Sequence, residues 1–510
     1  MRLTPPAVER WLLLGVMAAA VAIRVWFLSD GVPHAPGIDE PAIVDRALRI
    51  LQTGDWNTHA FDYPTLVIYL HTLVAIARYL LGALQGEWAS LAGMDIGSVY
   101  LSGRLVAALI GALTVWLTYR IGRDLDSPWL GLLAGAELAF LPMHVRESHF
   151  ILTDVPVTAL TTLAVWLAMR ARRVRTVAAY GWAGAVVGLA AAAKYNGAVA
   201  LVAVALAWFL HERSSPDRLG KAAAAVSAMV VAFLITTPYA VLDLPNFLDG
   251  VGGQMARFSA PARNPGDAAW LTYLKHLSLA GWWWLPMAGL GTAIAVIKKP
   301  SRSRWIVVIG FGLAYFYVLA THPRIFGRYA LPLLPVICLA AAVPVVELSR
   351  LCARSRRMEG WPAGPIVLGA GAAALTAGFA VQSVGWVGAL RNPDTRQMAV
   401  SWMRANLPRG TRVAVENSGP RYLVRAGFEE IPTGLLTDQS TDWYLEQHAE
   451  YLVVSSTDLR RYADLFALGP TVLEIPVRLQ QWGPPIRIVK VTRTLATPEG
   501  VGTDFAGLRF

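Results

Sequence analysis

Long apolar runs, separated by short polar patches, cover most of the first 390 residues. A helix needs about 20 apolar residues to cross the roughly 30 Å hydrocarbon layer of a membrane, so this pattern predicts membrane-spanning helices. The runs lie near residues 11–28, 99–119, 129–145, 151–169, 177–193, 196–210, 222–240, 277–297, 305–320, 329–348 and 363–388. The sequence therefore predicts an α-helical polytopic membrane domain over residues 1–390, with about eleven transmembrane helices.

A further apolar stretch, Tyr63–Leu84, does not fit this arrangement. If it spanned the membrane, Arg120 would lie on the opposite side from the other basic loops. We therefore interpret it as a helix in the outer interface, with His71 and Arg78 on its wetter face. The first outer loop then extends over residues 29–98.

After Leu390 the pattern changes to alternating helix and strand signals. Asp394–Asn406 has the spacing of a helix. Short apolar runs separated by Gly, Pro and Asp predict strands at 412–417, 451–455, 471–477 and 486–491. These runs alternate poorly, which favours a sheet covered on both faces. Residues 391–510 are thus predicted to form a soluble α/β domain.

Composition and charge support this division. The chain is 55% hydrophobic and 15% charged, against about 45–50% and 25% in soluble proteins, which excludes an ordinary soluble enzyme. Residues 391–510 hold 14 basic and 13 acidic side chains, so most of the net charge of +11 lies in the membrane part. Basic clusters at Arg170–Arg175, Lys298–Arg304 and Arg350–Arg357 predict cytoplasmic loops. The N-terminus is then cytoplasmic, the 391–510 domain lies outside, and the basic charge requires no nucleic acid.

Two acidic motifs are predicted on the outer side. Asp39 and Glu40 follow the first span, where a carboxylate can act as a general base toward a hydroxyl group. Asp154 begins the span after the outer segment 144–153. Each motif also has a simpler explanation, because an acid at Asp39 or Asp154, or the hydroxyl of Thr153, can cap the following helix. The two roles are compatible.

Two basic motifs fall on the same side. Lys194-Tyr195 forms a tight outer turn, and Arg328-Tyr329 leads into another apolar run. Snorkelling at the membrane interface explains single basic residues without a function. Several basic groups on the face with the weaker positive bias suit an anionic ligand, and arginine suits phosphate in particular.

Several short motifs occur together and in order. They are Asp39-Glu40, Tyr63-Pro64, Arg104–Leu109, Ser148-His149, Leu152–Pro156, Lys194–Gly197 and Arg328–Pro332. Over about residues 10–350 this set resembles bacterial glycosyltransferase family 39. That family includes relatives of the dolichyl-phosphate-mannose protein mannosyltransferases and of the aminoarabinose transferases, which share the GT-C membrane fold.

The resemblance implies an enzyme of the bacterial inner membrane that transfers a hexosyl or pentosyl group with inversion. The donor would be a polyprenyl-phosphate-linked sugar, and the acceptor a hydroxyl of a lipid, glycan or protein on the outer face. It implies that Asp39 is the catalytic base. The residues implied to bind donor or acceptor are Glu40, Tyr63, His149, Asp154, Lys194, Tyr195, Arg328 and Tyr329. No cofactor is required, although Asp39, Glu40 and Asp154 are the candidate ligands if a divalent metal takes part.

Two other functional classes remain open. A transporter or flippase of a lipid-linked or anionic substrate places ionisable groups near the middle of the membrane, and Glu137 within the third span is the one such group. A non-catalytic membrane scaffold presenting the 391–510 domain is the other class, and it leaves the outer acidic and basic groups unexplained.

Overall fold

The computed structural model describes residues 6–37, 39–211, 216–259, 268–298, 301–322, 324–355, 361–477 and 482–493. Some residues of the motifs and basic clusters lie outside these ranges. They are Lys299, Arg356 and Arg357.

Helices dominate the first 390 residues. The α-helices are α1 Pro6–Val25, α2 Glu40–Thr53, α3 Leu66–Leu84, α4 Ile96–Leu125, α5 Pro128–Phe140, α6 Pro142–Glu147, α7 Asp154–Val174, α8 Val177–Ala193, α9 Leu201–His211, α10 Arg218–Thr236, α11 Tyr239–Leu242, α12 Leu244–Ser259, α13 Ala269–Ser278, α14 Trp284–Ile297, α15 Arg302–Ala320, α16 Leu334–Arg354 and α17 Ala363–Ala389. The 3-10 helices are Leu91–Gly93, Tyr195–Ala200 and Gly327–Leu333.

Each of the eleven predicted runs contains a helix. Within the described residues, 6 helices are long and apolar enough to cross a membrane. They are Leu66–Leu84, Ile96–Leu125, Arg218–Thr236, Arg302–Ala320, Gly327–Arg354 and Ala363–Ala389. Because α3 is among them by length and composition, its placement in the outer interface stays a prediction.

Small side chains let the membrane helices pack closely. A methyl group at Gly184 of α8 would lie 1.9 Å from the Ala225 carbonyl oxygen of α10, and one at Gly131 of α5 would lie 2.4 Å from the Tyr119 carbonyl oxygen of α4. Apolar burial gives little net attraction between helices within lipid, so such close backbone contact is what holds membrane helices together. The alanine and glycine content of these runs therefore has a packing role.

The C-terminal residues form a mixed sheet flanked by helices. Its elements are α18 Thr395–Asn406, β1 Arg412–Glu416, α19 Leu423–Ala426, β2 Glu429–Thr433, α20 Thr441–Glu446, β3 Tyr451–Val454, α21 Ala463–Phe466, β4 Thr471–Ile475 and β5 Ile486–Lys490, with 3-10 helices Leu436–Asp438 and Leu459–Tyr462. The strand order is β2-β1-β3-β5-β4. The pairs β1–β2 and β1–β3 are parallel, and β3–β5 and β4–β5 are antiparallel.

This sheet is covered on both faces, as its poor alternation predicted. Val413 and Val453 pack in one buried cluster, whereas their neighbours Ala414 and Leu452 pack in another. The predicted helix and four strands are confirmed, but the sequence did not predict β2. That strand lies at the edge of the sheet and contains Pro432. An edge position tolerates proline, which has no backbone N–H to donate to a neighbouring strand.

The chain divides into two compact units, Met1–Leu28 with Asp39–Gly388 and Ser29–Ile38 with Ala389–Phe510. The boundary near residue 389 lies close to the predicted one. The segment Ser29–Ile38, which begins the predicted first outer loop, belongs to the second unit. His34 explains this placement, because its Nδ1 lies 2.9 Å from the Arg421 carbonyl oxygen and its carbonyl oxygen accepts from the Arg421 N–H at 2.9 Å.

The His34 ring is also 3.2 Å from a guanidinium nitrogen of Arg404. Arg404 can only donate, so Nε2 accepts and the proton lies on Nδ1. Arg396 adds a hydrogen bond to the Pro36 carbonyl oxygen at 2.9 Å and forms a 2.9 Å ion pair with Asp394. Hydrogen bonds with Arg396, Arg404 and Arg421 thus bind the segment 29–37, and the His34 imidazole among them is neutral.

We expect the contacts that bind residues 29–37 to the rest of the second unit to weaken in mild acid. Burial, with a smaller contribution from Arg404, lowers the pKa of His34. The unfolded segment therefore binds the proton more readily, so the stabilisation is present above a pH of about 6.5 and is lost as pH falls below it. Hydrogen exchange of the full chain, corrected for intrinsic rates, should show faster opening of this segment at pH 5 than at pH 7.5. The control is His34→Gln, which should lose this pH dependence, and unchanged dependence in that variant would contradict the assignment.

Candidate active site

Polar side chains from distant parts of the first unit converge on one small cavity. Its lining consists of Asp39, Ile43, Tyr63, Leu152, Thr153, Asp154, Lys194, Arg328 and Tyr329. Six of these were candidate site residues in the sequence: Asp39, Tyr63, Asp154, Lys194, Arg328 and Tyr329. The cavity volume is about 10 Å³, space for about one water molecule, so the side chains contact one another directly.

The charged groups form an alternating chain across the cavity. Arg328 forms an ion pair with Asp39, and its Nε lies 3.5 Å from the second carboxylate oxygen of Asp154. Lys194 Nζ donates to the other Asp154 oxygen at 2.6 Å. Asp154 is 5% exposed, so these cations provide the compensation that a buried carboxylate requires. The order is Asp39, Arg328, Asp154, Lys194.

The two carboxylates do not cap the helices that they precede or begin. Asp39 occupies the N-cap position of α2, yet its side chain makes no capping hydrogen bond and turns to Arg328. Asp154 opens α7, where Thr153 also makes no side-chain cap, and its carboxylate turns to Lys194. The capping explanation is therefore not realised at either position, although the helix dipole still favours an acid there.

A tight turn places Lys194 against the start of α7. A methyl group at Gly197 would lie 2.2 Å from the Ala190 carbonyl oxygen and 2.9 Å from Val157, so glycine is needed for this close approach. The Lys194 ammonium also lies 3.9 Å from the centroid of the Tyr329 ring. A cation at the face of an aromatic ring is stabilised by the ring quadrupole.

Tyr63 supplies a neutral hydroxyl group to the cavity. Burial, and then the negative charges of Asp39 and Asp154, raise the pKa of Tyr63 above its usual range. Its phenol therefore stays protonated across the physiological range and acts as a hydrogen-bond partner rather than as a base.

Glu40 does not face the cavity, although the sequence placed it among the binding residues. Its buried carboxylate forms a two-pronged ion pair with Arg104, at 2.9 Å from Nε and 2.6 Å from Nη2. It also accepts the backbone N–H of Ile151 at 2.9 Å. Because successive residues at a helix start point in different directions, Asp39 faces the cavity while Glu40 joins α2 to α4 and to the segment before Asp154.

His149 and Tyr195 are likewise absent from the cavity lining. The ring nitrogens of His149 lie 2.9 Å from the Val145 carbonyl oxygen and 3.2 Å from that of Trp26. Burial lowers the pKa of His149 to about 4, so it is neutral at physiological pH. The Tyr195 hydroxyl donates to the Phe61 carbonyl oxygen at 2.9 Å. In this structure both side chains join segments of the fold.

The three proposed metal ligands do not form a metal site. Glu40 is bound to Arg104, and the carboxylates of Asp39 and Asp154 face Arg328 and Lys194. Among the described residues, no group of three or more His, Cys, Asp or Glu side chains has a geometry that could hold a metal ion. The donor set therefore does not fit a divalent metal.

Two features near the cavity were not predicted. Glu147 is buried, is held by Arg146 at 2.5 Å, and its charge acts on Arg328. An apolar cavity of about 270 Å³ lies nearby, lined by Leu141, Pro142, Met143, Arg146, His276, Leu277, Leu279, Ala280, Trp284, Leu334, Gln382 and Trp386. Its walls come from several separate segments, so no local pattern could indicate it.

Residues 82–241 match the family model described as dolichyl-phosphate-mannose-protein mannosyltransferase. The matched part contains Asp154 and Lys194, whereas Asp39 and Arg328 lie outside it. The resemblance stated from the motifs is thus confirmed over this stretch. A comparison with curated protein sequences gives no match.

Solved structures resemble the chain over most of its length. ArnT from Cupriavidus metallidurans in the apo state has a TM-score of 0.59 at 16% identity, covering 95% of this chain and 98% of that chain. The same protein bound to undecaprenyl phosphate gives 0.59 at 15%, with 94% and 98% covered. The oligosaccharyltransferase of Archaeoglobus fulgidus gives 0.58 at 14%, with 88% and 69% covered. The chain has the GT-C fold. As a GT-C protein it is a multi-pass membrane protein, as its apolar runs predicted.

The Glu40–Arg104 pair should be essential to the stability of this GT-C domain. Arg104→Leu removes the cation from a carboxylate that is 0% exposed, so we expect the free energy of unfolding to fall by about 3–5 kcal/mol. Thermal and denaturant unfolding of the purified protein measure this. As a control, Arg461→Ala breaks the exposed pair with Asp458 and should change stability by at most about 1 kcal/mol. Equal losses in the two variants would contradict the assignment.

Proposed function

We propose that this chain is a glycosyltransferase that moves a sugar from a polyprenyl-phosphate carrier to an acceptor hydroxyl on the outer face of a bacterial inner membrane. The observation that carries the proposal is the cavity in which Asp39, a candidate base, lies beside the two basic groups Lys194 and Arg328. Its GT-C fold supports the same class of reaction. In this proposal the N-terminus is cytoplasmic and the 391–510 domain is outside.

The reaction is a single displacement at the anomeric carbon. The acceptor oxygen attacks this carbon as its bond to the carrier phosphate oxygen breaks, which inverts the configuration. Asp39 takes the proton of the acceptor hydroxyl, and it is 31% exposed, so an acceptor can reach it. Tyr63 and Asp154 line the same cavity, and in this proposal they bind sugar hydroxyls.

The departing carrier phosphate is an anion that needs stabilisation rather than protonation. Arg328 and Lys194 supply positive charge, which is the kind of preorganised stabilisation that contributes most to many enzymatic rates. Arg328 pairs with Asp39 in this structure. A phosphate bound at Arg328 would compete for this guanidinium and leave the Asp39 carboxylate available as a base.

The neighbouring apolar cavity suits the prenyl chain of the carrier. His276 and Met143, two of its lining residues, lie 3.5 Å and 3.7 Å from the position of a methyl group at Gly327. Gly327 immediately precedes Arg328, so an apolar chain in this cavity would bring its phosphate end near the basic groups. The ArnT structure with undecaprenyl phosphate is consistent with a ligand of this class.

The structure gives less support to a transporter. The four charged side chains of the cavity lie at or next to helix ends, whereas a transporter is expected to place ionisable groups and broken helices near the middle of the membrane. Glu137 of α5 accepts a hydrogen bond from the Trp284 indole at 2.9 Å and is fully buried. The contact gives Glu137 a structural partner within the helix bundle.

Asp39→Asn tests the catalytic base. The amide keeps the shape of the side chain but cannot take the proton, so sugar transfer should fall by about 100-fold or more. The assay is single-turnover transfer by purified protein from a polyprenyl-phosphate sugar identified in the host envelope. The control is Asp442→Asn at an exposed position, which should keep full activity. Near-normal transfer by Asp39→Asn would rule out this role.

Arg328→Gln and Lys194→Gln test the phosphate contacts. Losing one charge-assisted hydrogen bond should weaken binding of a short-chain polyprenyl phosphate by about 1.5–3 kcal/mol. Titration of the purified protein with the fluorescently labelled lipid measures this. Arg324 is exposed and lies on the same loop outside the cavity lining, so Arg324→Gln is the matched control. If all three variants bind the lipid like the parent protein, the contacts have only a structural role.

A further inference from the structure

The far end of α7 carries a second, separate concentration of charge. Asp154 begins this 21-residue helix and Arg172 and Arg173 lie in its last turn, so the two ends are about 30 Å apart. A cavity of about 390 Å³ lies at the arginine end. Its lining consists of Asp124, Met169, Arg170, Arg172, Arg173, Arg175 and Arg304.

The positive charge around this cavity is only partly neutralised within the described part of the chain. Its single carboxylate, Asp124, accepts a hydrogen bond from the Trp166 indole at 2.8 Å, and Arg304 donates to the Asp124 carbonyl oxygen at 2.5 Å. Over the described ranges, no acidic side chain forms an ion pair with Arg170, Arg172 or Arg173. Of the five guanidinium groups that line the cavity, those of Arg170, Arg172 and Arg173 therefore lack an acidic partner in this part of the chain.

Arg172 is the arginine on which this excess of positive charge has the clearest effect. One of its terminal nitrogens, Nη1, is buried without a hydrogen-bond partner. Burial, and then the positive charges of Arg304 and Arg175, lower the pKa of Arg172 from its usual value. A buried donor without an acceptor is costly, so an anion in the cavity would relieve both the repulsion and the unmet hydrogen bond.

Two general effects explain why arginines lie at this end of α7: cytoplasmic loops are rich in basic residues, and the helix dipole favours cations at its carboxyl end. Neither effect explains why Arg170, Arg172 and Arg173 have no acidic partners within the ranges that the structure describes. A neighbouring basic cluster provides the comparison. Arg350 lies 2.5 Å from both Asp126 and Glu347, and Lys298 lies 2.5 Å from Glu347. That cluster is neutralised within the protein, so an uncompensated cavity is not a general feature of these loops.

We propose that this cavity binds a phosphate-bearing anion at a site distinct from the proposed reaction cavity. Planar guanidinium groups match the oxygens of phosphate in pairs, and several of them can hold a group of two or more negative charges. Arg304 lies in the first turn of α15, which contains no acidic residue, so the positive end of that helix dipole also favours an anion. The ligand is either the headgroup of an anionic phospholipid or a free phosphate compound such as pyrophosphate.

The test compares two double variants of the full chain. Arg172→Gln with Arg173→Gln removes two cavity arginines, while Arg302→Gln with Arg354→Gln removes two exposed arginines outside the cavity lining. Native mass spectrometry of each protein, purified in mild detergent with added phosphatidylglycerol, counts the retained lipid. In a second arm, lipid-depleted protein is titrated with inorganic pyrophosphate by calorimetry. Unfolding midpoints verify that both variants are folded.

For the cavity variant we expect at least about tenfold weaker binding in one arm, with the control variant close to the parent protein. Loss of retained phosphatidylglycerol supports the lipid headgroup as the source. Loss of saturable pyrophosphate binding supports a soluble phosphate compound. The proposal is overturned if the parent protein binds neither probe, or if the two double variants behave alike in both arms. Neither readout depends on glycosyl transfer. A negative result in both arms would therefore say nothing against the proposed glycosyltransferase reaction.

Discussion

The buried carboxylate of Glu40 is the constraint on which the geometry of the cavity depends. It accepts from Arg104 on α4 and from the Ile151 backbone, so it joins the start of α2 to α4 and to the segment that leads into α7. Asp39 immediately precedes Glu40, and Asp154 follows three residues after Ile151. One satisfied buried ion pair thus fixes the distance between the two carboxylates of the cavity, although neither of them takes part in it.

The cavity itself is held by opposite charges rather than by apolar contacts. Two acids and two bases alternate in it, so the site as a whole is neutral and its partly buried charges are compensated. The same arrangement couples ligand binding to catalysis in the proposed reaction. An incoming phosphate and Asp39 both attract Arg328, so the base becomes available when the donor is in place and stays paired when it is absent.

The length of the apolar runs indicated the helices and the division of the chain into two parts. This works because a helix that crosses the lipid needs about 20 consecutive apolar residues. The motifs indicated six residues of the cavity. The motifs could not show which of the adjacent acids, Asp39 or Glu40, faces the cavity. The direction of each side chain depends on the backbone geometry at the start of α2. His149 and Tyr195 bind backbone carbonyl oxygens of distant segments, Trp26 and Phe61, which no local pattern encodes. The edge strand β2 was missed because its one buried apolar side chain gives almost no periodic signal.

The two ends of α7 show that the position of a charged residue along a helix does not by itself establish a function. Asp154 at the amino end and the arginines at the carboxyl end both suit the helix dipole, and the sidedness of membrane loops predicts the arginines again. Placement is therefore weak evidence of function at either end. The ion pairs are more informative, because Asp154 is paired with Lys194 and Arg328, whereas Arg172 has no acidic partner among the described residues. In our proposal, the charge at the arginine end of α7 is therefore balanced by an anion from outside the chain.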